Sequence, residues 1–247
     1  MKSYNFFADY YDKLTSNVDY DAICKRFCEL FSQYGNKGNI VLDLACGTGN
    51  LSFLLADKGF DVVATDSSEQ MLSKAMNKAS KFGNPMFLCQ SMQNLDLFGT
   101  IDAAVCTLDS INHICSKKDV EKAFERVSLF LNPKGLFVFD VNTLYKHSQI
   151  LGNNAFVYDF DDVYCVWQNE FNSKNGKVDI SLDFFCECED GMYQRQSESF
   201  SEMYYSDEFI TSLCEKCSMK VVERFDDFTK NKVNEKSQRV LYVCRKD

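Results

Sequence analysis

The stretch Asn39-Ile-Val-Leu-Asp-Leu-Ala-Cys-Gly-Thr-Gly-Asn50 decides the fold. A short apolar run, Ile40–Leu44, meets a Gly-x-Gly turn at Gly47 and Gly49. A buried parallel strand enters a nucleotide-binding loop in this way, because glycines let the backbone approach a ligand with no Cβ between. Asp43 is the unusual member. A carboxylate at that point would repel a dinucleotide pyrophosphate and would suit a ligand carrying positive charge. The third glycine of a dinucleotide fingerprint would fall at position 52, which is Ser52.

Outward from this stretch, strands and helices alternate. A helix over Asp19–Tyr34 has Ile23, Phe27, Leu30 and Phe31 on one face and is closed by Gly35 and Gly38. Strand Ile40–Leu44 leads to helix Asn50–Lys58, and strand Asp61–Thr65 to helix Ser68–Lys81. Strands Met86–Cys89 and Ile101–Thr107 come next, then helix Lys117–Leu131 and strand Gly135–Val141. Such alternation specifies an α/β, doubly wound, mostly parallel sheet with helices on both faces. From Ala155 the period becomes two: Val178, Ile180, Leu182 and Phe184 alternate with Asp179, Ser181 and Asp183. Asn175-Gly176 and Asp190-Gly191 are hairpin signals, so three or four antiparallel strands are expected before Tyr205. A helix at Asp207–Cys217 and a closing antiparallel pair, Lys220–Phe225 and Gln238–Cys244, complete the chain. Residues 1–150 and 206–247 are read as one core with an N-terminal helical segment, and 151–205 as an inserted antiparallel β cap over the substrate.

Asp66 ends the second strand in Ala64-Thr-Asp-Ser-Ser-Glu69, where ribose hydroxyls are commonly held. Together with Asp43 it favours S-adenosylmethionine (SAM), with its sulfonium and ammonium, over NAD. The string around Gly47 resembles motif I of the class I SAM-dependent methyltransferases. Asp66-Ser67-Ser68 with Met71-Leu72 is similar to that family's second motif, and Thr107-Leu108-Asp109-Ser110 resembles its fourth. Leu131-Asn132-Pro133-Lys134-Gly135 looks like the turn before strand five, with Lys134 in a glycine's place. The resemblance implies the seven-stranded methyltransferase fold. It also implies a SAM site formed by Asp43, Ala45, Cys46, Gly47, Thr48, Gly49 and Asn50, continued by Asp66, Ser67, Met71, Ser91, Met92, Thr107, Leu108 and Asp109. Many relatives carry an acid where Ser91 stands before Met92.

Phe6-Phe7-Ala-Asp-Tyr10-Tyr11 resembles a segment that, in small bacterial methyltransferases, closes over the cofactor and sets a tyrosine near the methyl group. Tyr11 is the preferred candidate, Tyr10 the second, and an aromatic packing face is the alternative. His113 lies in Ser110-Ile-Asn-His-Ile114, similar to a segment of sugar-amine and glycine N-methyltransferases. It is the candidate base or orienting group, because a neutral imidazole takes a proton near physiological pH. His147 has a weaker case. The implied function is methyl transfer from SAM to a small-molecule acceptor, at N or O. Methylation of RNA or protein, or SAM binding without catalysis, are the alternatives.

Composition narrows the partners. The 247 residues are 45% hydrophobic, enough for a substantial core, and no run is long enough to span a membrane. No signal peptide is recognisable at the start, so a cytoplasmic protein is expected. The twelve cysteines read as free thiols, and the pairs Cys186/Cys188 and Cys214/Cys217 as ordinary strand and helix positions rather than metal ligands. No metal is therefore expected. Net charge is −9, with −10 concentrated in residues 151–208. This disfavours nucleic acid and suits neutral or cationic acceptors, although period-two alternation would also place such acids outside for solubility alone. The Pro-Pro motif of adenine N6 methyltransferases and the Pro-Cys nucleophile of cytosine C5 methyltransferases are absent.

Overall fold

β1 (Ile40–Leu44) is buried from Val41 through Leu44, as a strand with neighbours on both edges and helices on both faces must be. The computed structural model describes residues 7–79, 84–188 and 191–247. Around β1 the chain runs α1 (Phe7–Leu14), α2 (Tyr20–Gln33), α3 (Asn50–Asp57), β2 (Asp61–Asp66), α4 (Glu69–Lys78), β3 (Met86–Cys89), β4 (Ile101–Cys106), α5 (Lys117–Phe130) and β5 (Leu131–Asn142). Then follow β6 (Ala155–Phe160), β7 (Val163–Asn172), β8 (Lys177–Glu187), β9 (Tyr193–Met203), α6 (Asp207–Lys216), β10 (Met219–Asp226) and β11 (Arg239–Lys246).

The main sheet has seven strands in the order β10-β11-β5-β4-β1-β2-β3, parallel except for β11 and β10. The strand order reverses between β1 and β4, and ligands bind at such a point in open α/β sheets. Alternation along each strand feeds two cores. Val41, Val105 and Val138 pack with Phe27 and Leu30 of α2 and Leu51 and Leu55 of α3. Leu42, Phe137 and Phe139 pack with Phe124 of α5 and Leu213 of α6. Phe124 meets Phe137 and Phe139 edge-on at 5.4 and 5.1 Å and is fully buried. Burying one such ring contributes about 1.5–3 kcal/mol.

Strands β6–β9 form a separate four-stranded antiparallel sheet in sequence order, the upper count expected. Its inner face carries Val178, Ile180, Leu182 and Phe184, which are fully buried in a cluster with Phe7, Ala8 and Leu14 of α1 and Met71 of α4. Opposite these positions stand Glu202, Phe200 and Glu198 on β9, and Trp167 faces Leu182 from β7. Outer-face acids are paired: Asp179 with Lys177 at 2.6 Å and Asp183 with Arg195 at 2.8 Å.

Element ends differ from the sequence reading in a few places. Ser68 caps α4, its Oγ accepting the Met71 N–H at 3.2 Å, so the helix proper begins at Glu69 and ends at Lys78. Positions 80 and 81, read as its last turn, lie outside the described residues, as does Asp190 of the second hairpin signal. Helix α5 ends at Phe130, and β5 begins at Leu131 rather than Gly135. The register against β4 shifts there, and Lys134 takes φ 65°, the left-handed conformation a glycine would favour.

Candidate active site

The turn after β1 is bent to present its backbone. Ala45 and Gly47 have φ of 58° and 55°, and Gly49, at φ 79°, caps α3. A Cβ added at Gly49 would lie 3.2 Å from Ala75, Phe53 and Phe87, so the loop packs on its neighbours as closely as glycine permits. At Gly47 the nearest atoms to such a Cβ belong to the Tyr11 ring, 3.8 Å away. Asp66 accepts the Gly47 N–H at 2.9 Å and the Ser68 N–H at 2.8 Å, which fixes its carboxylate across the loop. Burial raises the Asp66 pKa against the pull of those bonds. Asp43 lies deeper, bonded by Ser52 Oγ at 2.5 Å, and burial pushes its carboxyl up to about 7.

At the end of β4, Leu108 and Asp109 both take left-handed backbone conformations, φ 56° and 55°. Two consecutive non-glycine residues in that region are strained and need support. Asp140, a buried acid inside β5, supplies it by accepting the Asp109 N–H at 2.8 Å. Arg239 at the start of β11 donates to Asp109 Oδ1 at 2.8 Å and is also ion-paired with Asp140. Burial opposes charge on Asp109, but Arg239, helped by Lys146 and His113, outweighs it and holds the carboxyl well below the usual range. Asp140 is moved upward by its burial.

These strand ends floor a cavity of about 350 Å³. Ala45, Gly47, Asp66, Ser67, Leu108 and Asp109 line it from the core, with Met71 and Met92 at the side. Tyr158, Trp167, Phe200 and Glu202 line it from the β6–β9 sheet, and Phe7 and Tyr11 from α1. The rings adjoin one another: Phe7 lies 5.4 Å from Tyr11 and 5.9 Å from Phe200, and Trp167 meets Phe200 edge-on at 6.1 Å. His113 stands against Phe200 at 5.1 Å, with Nε2 3.8 Å from Asp109 Oδ2.

Helix α1 straps the two sheets together. Asp12 receives the Thr48 hydroxyl at 2.6 Å, the Asn50 amide at 3.0 Å and Lys78 at 2.5 Å. Asp9 pairs with Lys74, Lys13 with Asp162, and the Phe7 N–H donates to Glu198 at 2.7 Å.

A family model described as a methyltransferase domain matches residues 41–135. YqeM of Bacillus subtilis (strain 168), which bears a methyltransferase name, is 33% identical over 244 residues, spanning 98% of this chain and 97% of its own. The crystal structure of a S-adenosylmethionine-dependent methyltransferase from Clostridium acetobutylicum ATCC 824 aligns with a TM-score of 0.88 at 36% identity, covering 98% of each chain. The chain belongs to the SAM-dependent methyltransferase family. A glycine/sarcosine N-methyltransferase of Halorhodospira halochloris is 34% identical over 134 residues, 52% of this chain and 50% of that protein.

The cofactor of this methyltransferase is SAM, and the cavity fits it. Its volume is within the range of pockets for ligands of that size, about 300–1,000 Å³. Gly47 leaves its backbone open beneath the Tyr11 ring, and Asp66 offers a fixed, enclosed carboxylate at the second strand end. Of the residues expected from the sequence, Tyr11, Ala45, Gly47, Asp66, Ser67, Met71, Met92, Leu108, Asp109 and His113 share the cavity lining. Asp43, Cys46, Gly49 and Thr107 shape the turns behind it. Thr48 and Asn50 spend their side chains on Asp12, and Ser91 Oγ accepts from Asn94 at 3.0 Å. Tyr10 turns to the cap and stacks on Phe184 at 5.7 Å. All twelve cysteines are free. Among the described residues, neither cysteine pair gathers a ligand set; the one such grouping is Asp109, His113 and Glu202. Asp12, Asp140, Glu202 and Arg239 went unread in the sequence. The signal for Asp140 was present, an acid inside an apolar strand, as at Asp43.

Proposed function

We propose that this enzyme methylates a small-molecule acceptor at nitrogen or oxygen, with nitrogen the better supported. The observation that carries the reading is a single cavity with two walls. Strand-end loops form one, and cap rings with Glu202 form the other. The partial match to a glycine/sarcosine N-methyltransferase adds support for nitrogen. Bound SAM supplies a methyl group already activated by its sulfonium. The protein's own task is therefore orientation and exclusion of water. Asp66 would hold the ribose hydroxyls, Met71 and Met92 the apolar faces of the base, and the Leu108–Asp109 turn the amino-acid end. Tyr11 would stand over the methyl group from α1. His113 would accept or orient the proton of the nucleophile, with Asp109 behind it.

Calorimetry with SAM, S-adenosylhomocysteine and NAD tests the cofactor half of this reading. Binding of the first two and not the third is expected. Formation of S-adenosylhomocysteine with a panel of amines, hydroxy acids and sugars tests the other half. Turnover confined to RNA or protein substrates would overturn it.

A further inference from the structure

Glu202 is the feature of the cavity that the roles above leave unused. It projects from β9 with only 3% of its surface exposed, yet it lines the cavity. Two neighbours fix it: Asn142 Nδ2 donates to Oε2 at 2.8 Å, and His147 Nε2 lies 3.0 Å from the same oxygen. His147 is fully buried, with Nδ1 3.4 Å from the Gly176 carbonyl, at the long limit of a hydrogen bond. Both contacts fall on Oε2. Among the described residues, Oε1 has no hydrogen-bond partner, and no lysine or arginine pairs with Glu202.

Two cations, Arg239 and Lys146, line the same cavity. Arg239 is divided between Asp109 and Asp140, and Lys146 adds to the positive field on Asp109. A buried carboxyl group fixed on one oxygen, with His147 as its basic neighbour there, keeps the other oxygen open to a donor. Trp167 and Phe200 line the same cavity as Glu202, and Phe200 shares a strand face with it.

We propose that Glu202 is the acceptor-selecting residue: its Oε1 binds the ammonium of an amine whose apolar substituent lies on Trp167 and Phe200, with Asn142 and His147 as the positioning residues. This rests on the small-molecule reading above and narrows it to cationic amines. Asp109 and His113 lie beside the same point, all three ligating atoms falling within 4.8 Å of one another. An ammonium there would donate to Glu202, and His113 would be in reach of the proton released.

The test uses the S-adenosylhomocysteine complex and two probes of equal shape, benzylammonium and benzyl alcohol, titrated by calorimetry. Benzylammonium is expected to bind at least about tenfold more tightly, because only the cation answers the buried carboxylate. Glu202→Gln should bring the two probes to within about twofold while the affinity for S-adenosylhomocysteine stays unchanged. His147→Gln, which keeps a donor for Oε2, should retain the preference. Equal binding of the probes to the unmodified protein would overturn the proposal, so a variant that failed to fold could not shelter it. A preference surviving Glu202→Gln would also overturn it. So would a loss of S-adenosylhomocysteine affinity in that variant, since Glu202 would then serve the cofactor's own ammonium. A preference appearing only with added Mg²⁺ or Mn²⁺ would assign the cluster to a metal instead. If S-adenosylhomocysteine itself did not bind, the failure would lie with the SAM reading and not with Glu202.

Discussion

Asp43 lies one residue before the end of β1 and Asp66 ends the neighbouring β2, and burial raises both, yet their neighbours set them to different tasks. Asp66 is fixed by two backbone N–H groups and faces the cavity. Replacing it with alanine removes an acceptor from the proposed ribose contact and orphans the Gly47 and Ser68 donors. Such a loss costs roughly 1–3 kcal/mol, so Asp66→Ala should weaken SAM binding by roughly ten- to a hundredfold. An unchanged dissociation constant in a folded variant would remove Asp66 from the cofactor site. Asp43 has a different consequence, in stability. Its carboxyl is pushed up to about 7, so the native state holds a proton that the unfolded chain releases near pH 4. A raised folded value means the contribution is complete below about pH 4 and is lost as pH rises through about 7. The loss is on the order of 4 kcal/mol. Asp43→Asn, neutral at every pH, should lack this component. Urea unfolding of the unliganded proteins at pH 5 and pH 8 should show the variant gaining on the parent at the higher pH. An equal difference at both would mean Asp43 is not held as a buried acid.

At the scale of elements, α1 decides how the cavity is closed. Its ion pairs are exposed or half-buried, worth about 0–1 kcal/mol each. Asp12→Ala should therefore barely change global stability. It does untie α1 from Thr48, Asn50 and Lys78, which stay bonded to one another, and so loosens the helix that carries Tyr11 over Gly47. Losing about 1 kcal/mol of closure should quicken cofactor release by roughly fivefold, and stopped-flow dissociation would measure it. An unchanged release rate would mean that the inner-face packing of Phe7, Ala8 and Leu14 holds α1 without those pairs. The same elements mark what could be read from sequence. The β1 loop and Asp66 were legible because strand, glycines and carboxylate lie within one local βαβ unit. Arg239 meets Asp109 across 130 residues and Asn142 meets Glu202 across 60, so only the folded sheet joins them. On β9 the alternation gave no direction either. Ser197, Ser199 and Ser201 occupy one face while Glu198, Phe200 and Glu202 occupy the other, and polar residues on both faces hide which one is inside. Thr48 and Asn50 stood in the right loop, but Asp12, nearly forty residues earlier, claims their side chains.

Across the whole molecule the question is what the concentrated negative charge of residues 151–208 does. Residues 151–208 carry −10 of a total −9. If that field steered a cationic acceptor from a distance, association would weaken as salt rises. Several of these acids are paired where they stand, although Lys177 and Arg195 are already counted in the −10. Asp179 has Lys177 and Ser201, Asp183 has Arg195 and Ser197, and Asp162 has Lys13, all near the surface. Among the described acids of this segment, Glu202 is the one that is buried and lines the cavity, and salt screens an enclosed group little. Raising NaCl from about 0.05 to about 0.5 M shortens the screening length from roughly 14 to roughly 4 Å, enough to erase steering by exposed charges. For an amine acceptor found in the panel, kcat/KM should change by less than about twofold over that range. A tenfold fall would show that the outer-face acids guide the acceptor in. A flat response, with selectivity for amines intact, is the signature of a contact made inside the cavity after arrival.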